Sequence, residues 1–229
     1  MNQHSGRGAE GSPVRIPIGA MTLEGAVDAP ATPRGAVLFA HGSGSSRLSP
    51  RNRFVAGVLR DTGLATLLID LLTPQEEAAD AATGHLRFDI ELLGDRLVRI
   101  TDWLLKYPAT RGLPIGYFGA STGAAAALVA ATQRPIAAVV SRGGRPDLAR
   151  SVLRQVRAPT LLIVGECDDV VLALNKEALM KLQGERELAI VAGATHLFPE
   201  PGALEEVARL AREWFVRHLA RTATSGKGG

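Results

Sequence analysis

Cysteine occurs once in the 229 residues, at Cys167, so no intrachain disulfide and no cysteine-built metal cluster can form. Aromatic residues are scarce at 4%, leaving little on which nucleobases could stack. Charge is nearly balanced: 26 Lys+Arg are interleaved with 23 Asp+Glu, and the net +3 forms no basic stripe. Nucleic acid is therefore not an expected partner. Apolar runs such as "AVLFA" and "TLLIVG" fall far short of the ~20 residues that span a bilayer, so no membrane is expected either. No HExxH occurs and no two histidines are spaced as ligands, which excludes the usual metal-dependent hydrolases; neither metal nor cofactor is expected. The opening "MNQHSGRGAEGSP" has no apolar stretch of signal-peptide type, so the expected location is cytoplasmic.

What is present suits a globular domain: 46% hydrophobic and 21% charged residues over a length that can bury a sizeable core. The polar, glycine-rich ends, 1–12 and 222–229, read as flexible flanks of a single domain spanning 13–221. Residues 14–27, "VRIPIGAMTLEGAV", alternate and turn like an antiparallel hairpin. Short apolar runs follow at 36–40, 65–70, 114–119, 136–141, 159–165 and 187–193, as expected for parallel strands buried on both faces. Helical faces lie between them, one marked by Ile90, Leu93, Leu97, Ile100 and Leu104, another by Leu204, Val207, Ala211, Trp214 and Phe215. This alternation predicts an α/β fold: a mostly parallel, doubly wound sheet of about eight strands with helices on both faces. Ligands in such sheets bind beyond the C-terminal strand ends.

One strand end carries Gly119-Ala120-Ser121-Thr122-Gly123, where an apolar run turns into an alanine-rich helix. A serine held on so sharp a strand-to-helix turn needs small neighbours two positions either side, and chance supplies roughly 0.1 such matches in a chain of this composition. The competing reading makes Ser121 a helix cap, although residue 124 is alanine and no capping box follows. A nucleophile needs a base, and the base needs an orienting acid. His196 is the one histidine that follows Ser121 in a loop between a strand and a helix. In "LLIVGECDDVV", Asp168 is chosen as the acid over Asp169; otherwise either aspartate caps the next helix. Oxyanion donors are expected from Thr122 N–H and from the glycine-rich loop "FAHGSGSSRLSP", with Ser43 first and Gly44 second. His41 reads as a structural hydrogen-bonder and Cys167 as an inert strand-end residue.

Taken together, "HGSGSS", "GASTG", "VGECDDVV" and "GATHLF", in this order across most of the chain, resemble the α/β-hydrolase fold and its dienelactone-hydrolase-like branch. The resemblance implies a Ser121–His196–Asp168 triad with Ser43 and Thr122 holding the oxyanion. Two departures stand out. The branch uses cysteine where this chain has Ser121, so its substrate does not transfer with its name. About 17 residues separate "VVS" from "PTLLIVG", too few for a lid domain. The expected reaction is hydrolysis of a small carboxylic or thioester through an acyl-enzyme. The alternatives are acyl transfer on the same triad and an inactive binding protein. For substrate contacts, Arg142 and Arg145 in "SRGGRPD", and His85 and Arg87 in the loop from Leu71 to Phe88, would suit an anionic ester; otherwise these arginines pair with Glu166, Asp147 or Asp169. A second copy of the chain, as a homodimer, completes the candidate partners.

Overall fold

The computed structural model describes residues 11–221, so nearly all of the two expected flanks, 1–10 and 222–229, lies outside the described residues. Two antiparallel strands open the described chain, β1 (Ser12–Ile18) and β2 (Met21–Asp28), in register from Ser12 opposite Val27 to Ile18 opposite Met21. Six more follow: β3 (Ala36–Ala40), β4 (Ala65–Ile69), β5 (Ile115–Ala120), β6 (Ala138–Arg142), β7 (Thr160–Gly165) and β8 (Arg186–Val191). They form one sheet in the order β1-β2-β4-β3-β5-β6-β7-β8, parallel from β4 to β8, with β2 antiparallel to β4. The expected doubly wound sheet, with its N-terminal hairpin, is thus the observed one.

Every residue of β3 to β7 is buried, which is why those strands read as unbroken apolar runs. The edge strand β8 is half exposed. The helices are α1 (Pro50–Arg60), α2 (Pro74–Thr83), α3 (Ile90–Leu104), α4 (Thr122–Ala130), α5 (Asp169–Lys181) and α6 (Ala203–Arg221). On one face α1 and α6 pack over Phe39, Phe118, Val140 and Ile163. On the other, α3 and α4 pack over Leu38, Tyr117 and Val139. Each large apolar side chain so buried contributes about 1.5–3 kcal/mol. All nine residues of α4 are buried, and their small side chains let the helix lie close to the sheet.

Strand order reverses at β3: the chain runs from β3 to β4 on one side, then crosses to β5 on the other. That switch point opens a crevice above the C-terminal ends of β3 and β5. No lid covers it; residues 143–159, between β6 and β7, hold only two short 3-10 turns. One element departs from the sequence reading. The segment treated as a loop from Leu71 to Phe88 contains α2, entered through a capping box in which Thr73 and Glu76 each accept the other's backbone N–H. The helix buries only Asp80, so it has no apolar stripe to betray it.

Candidate active site

Ser121 ends the β5-to-α4 turn with φ 51° and ψ −120°, a conformation that a residue with a Cβ rarely holds. The glycines around it explain how the turn closes. A Cβ on Gly119 would lie 2.4 Å from Ala124 Cα, and one on Gly123 would lie 2.3 Å from Ala40 O and 2.4 Å from His41 O. Backbone therefore passes backbone with no room for a methyl group. Ser121 sits at the N-cap position of α4, yet its side chain makes no capping hydrogen bond. Its N–H donates to Arg142 O at 3.2 Å, and its carbonyl accepts from Ala124 and Arg145 N–H. The helix-cap reading thus fails on the side chain, while the α4 N-terminus still brings its positive dipole end to the hydroxyl.

The loops after β7 and β8 meet beside this turn. Cys167 N–H donates to Ala194 O at 2.9 Å, Glu166 N–H to Val191 O at 3.0 Å, and Gly193 N–H to the Glu166 carboxylate at 2.8 Å. So fastened, the loops set Asp168 Oδ2 2.6 Å from His196 Nδ1. Of the two neighbouring aspartates it is Asp168 that reaches the histidine; Asp169 opens α5, and Asp168 stands at its N-cap position without capping it. The imidazole lies over Gly143, where a Cβ would come within 3.4 Å of His196 Cε1. Among the described residues, no hydrogen bond joins Ser121 Oγ to His196, whose side-chain partner is Asp168.

The glycine-rich loop after β3 is anchored at both ends. Leu71 N–H donates to His41 Nε2 at 3.1 Å, so the ring proton sits on Nδ1, which donates to Gly42 O at 2.9 Å. His41 is therefore the structural residue that the sequence suggested. Further on, Arg47 is held by Asp70 and, at 2.9 Å, by Glu24. Ser43 N–H donates to Thr122 Oγ1 at 2.9 Å, which ties the loop after β3 to the first residue of α4. A cavity of about 550 Å³ opens beside this loop, with Leu71, Leu72 and Leu93 as apolar wall and Arg51, Glu77, Asp80, Arg87 and Thr122 as polar wall. That size suits a small molecule.

The suggested substrate contacts divide. Arg87 lines the cavity, but its guanidinium is held by Asp80 at 2.6 Å; burial pushes the Asp80 carboxyl up, and Arg87 with two backbone N–H groups brings it below its usual range. His85 is exposed and does not line the cavity. Arg145 forms a two-bond fork with Asp147, both at 2.8 Å, which raises the arginine and lowers the aspartate. Both arginine pairs are thus structural. Arg142 differs: it is 7% exposed, holds no acidic partner among the described residues, and is pushed down to about 10 by burial and by the charge of Arg51. Arg51 directly follows the glycine-rich loop in sequence, but its place on the cavity wall depends on how α1 enters the fold. The described residues hold no group of histidine, cysteine and acidic side chains fit for a metal, and none of their helices is long and apolar enough to cross a membrane.

No protein-family model matches the chain. It is 60% identical to a dienelactone hydrolase from Anabaena variabilis whose crystal structure is known, with a TM-score of 0.88 over 90% of this chain and 97% of that one. A Mycobacterium tuberculosis protein named "Putative phosphoribosyl transferase" is 56% identical over 93% of this chain, and the chain spans about half its length, 48%. The fold recurs at 20% identity in a lidless α/β serine hydrolase from Xanthomonas campestris, with a TM-score of 0.73 over 92% of this chain and 95% of that one. With that sheet, that serine turn and 60% identity across nearly all of a dienelactone hydrolase, the chain belongs to the dienelactone hydrolase family, a branch of the α/β-hydrolase fold.

Proposed function

We propose that this protein, a member of a hydrolase family, cleaves small carboxylic or thioesters with Ser121 as its nucleophile. The observation that carries the reading is the Ser121 turn: a strained, uncapped hydroxyl at a helix N-terminus, at the switch point of a parallel sheet. Proteins retain such strain mainly where it serves function. His196 takes the Ser121 proton as the oxygen attacks the carbonyl carbon, and Asp168, 2.6 Å from Nδ1, holds the resulting imidazolium. The carbonyl oxygen becomes an oxyanion received by Thr122 N–H. Ser43 N–H joins it by exchanging the Thr122 hydroxyl for the substrate oxygen. The alcohol leaves with the proton from His196, and water, activated by the same histidine, releases the acid and restores the serine. The name of the Anabaena relative supports an ester bond, since a lactone is an internal ester.

The test is turnover of p-nitrophenyl acetate by the whole chain, with and without added alcohols. Release of acetate at an unchanged rate as alcohol is added supports hydrolysis; acetyl transfer to the alcohol in preference to water would make the protein an acyltransferase. No turnover of any short-chain ester or thioester would favour an inactive binding protein.

A further inference from the structure

Among the described residues, the arginines around the site are neutralised with two exceptions, Arg142 and Arg51. Arg47, Arg87 and Arg145 each hold a carboxylate, whereas Arg142 holds none among the described residues. Arg142 ends β6 opposite Ala120 in register, and its carbonyl accepts the Ser121 N–H, so it stands immediately beside the serine turn. Its Nη1 is buried without a hydrogen-bond partner, and so is Nε of Arg51. Arg51, in the first turn of α1, lines the cavity that Thr122 and Ser43 also border. No acidic residue occupies that first turn, so the positive end of α1 adds to the two guanidiniums instead of being offset.

A buried cation without a partner is unfavourable, and the charge of Arg51 acting on Arg142 adds to that cost. A bound anion would balance both charges. A carboxylate cancels one of the two charges; a phosphate monoester carries close to two and offers three acceptor oxygens to fork-shaped donors. We propose that Arg51 and Arg142 form a phosphoryl-binding subsite beside Ser121, so that the natural ester carries a phosphate group away from its scissile bond. This rests on Ser121 as the nucleophile, yet phosphate binding is measurable without catalysis.

The probe is inorganic phosphate, titrated calorimetrically into Ser121→Ala, where turnover plays no part. Millimolar or tighter binding is expected, weakened at least tenfold by adding Arg51→Met or Arg142→Met. Arg145→Met, whose partner is Asp147, leaves it unchanged. Should Arg142→Met fail to fold, the half-buried Arg51 is tested alone as Arg51→Lys and Arg51→Met, with graded loss expected. In the native enzyme, phosphate competes with a neutral ester, and an ester with a phosphorylated chain is preferred over its carboxylated analogue. Absence of phosphate binding, equal binding in the arginine variants, or preference for the carboxylated ester each overturns the proposal. Failure of ester turnover together with intact, arginine-dependent phosphate binding would instead count against the nucleophile alone.

Discussion

Replacing Gly123 by alanine tests whether close backbone approach builds the serine turn. The added Cβ would sit 2.3 Å from Ala40 O and 2.4 Å from His41 O, against ordinary contacts of 3.4 Å or more. To relieve both overlaps α4 has to withdraw from the end of β3 by about 1 Å, and the obstructing atoms are backbone, so no side chain can rotate away. Overpacking of this kind costs about 1–3 kcal/mol, outweighing the gain of at most ~1 kcal/mol from alanine over glycine in a helix. At 2–4 °C per kcal/mol for a domain of this size, the net loss of up to about 2 kcal/mol lowers Tm by up to roughly 8 °C. The same displacement moves Thr122 N–H away from the Ser43 loop, and misplacement by 1 Å costs about 10²-fold in rate. Thermal unfolding and kcat/KM for p-nitrophenyl acetate measure both effects. Gly57→Ala is the control: it lies within α1, its Cβ meets nothing nearer than Arg60 Nη2 at 3.7 Å, and it is expected to hold or raise Tm. A Gly123→Ala protein with native Tm and activity within twofold would refute the reasoning.

Further outcomes follow from individual contacts. Arg96, 2% exposed, donates to Leu71 O and to the Glu76 carboxylate; Arg96→Met leaves that partly exposed carboxylate with only Thr73 N–H and is expected to lower stability by about 1–3 kcal/mol in urea titration. Thr122→Val removes the acceptor of the Ser43 N–H while keeping the side-chain shape; if the hydroxyl merely holds the oxyanion position, kcat/KM for a neutral ester changes less than about threefold, whereas a hundredfold loss would give it a part in the chemistry. Asp147 is held below its ordinary value by Arg145, so the stability it contributes is present above the normal carboxylate range and is lost as pH falls through it. The drop in Tm between pH 5 and pH 3 is therefore shallower in Asp147→Asn than in the native chain; equal slopes would contradict this.

Much of the fold was legible because burial on both faces writes β3 to β7 as apolar runs, and because α3 and α6 each bury one stripe. The helix α2 escaped because its signal was a capping box and a proline at its first turn rather than periodicity. Ser121, Asp168 and His196 emerge as candidates from strand-end position and chain order, and the structure adds the Asp168–His196 contact that a string of letters cannot express. The arginines show the limit of that approach. Arg142, at the end of β6, and Arg145, in the loop after it, lie three residues apart, yet one is buried without a carboxylate and the other is forked onto Asp147. The charge of Arg51 acts on Arg142 across the fold rather than along the chain, and the Ser43–Thr122 bond joins residues 79 apart in sequence.

The central claim, that Ser121 is the nucleophile, is tested most directly by covalent labelling with a fluorophosphonate, followed by peptide mapping. One adduct is expected, on Ser121, formed in step with loss of esterase activity, with neither labelling nor turnover in Ser121→Ala. Undiminished labelling of Ser121→Ala, or an adduct on another residue that tracks inactivation, would contradict it.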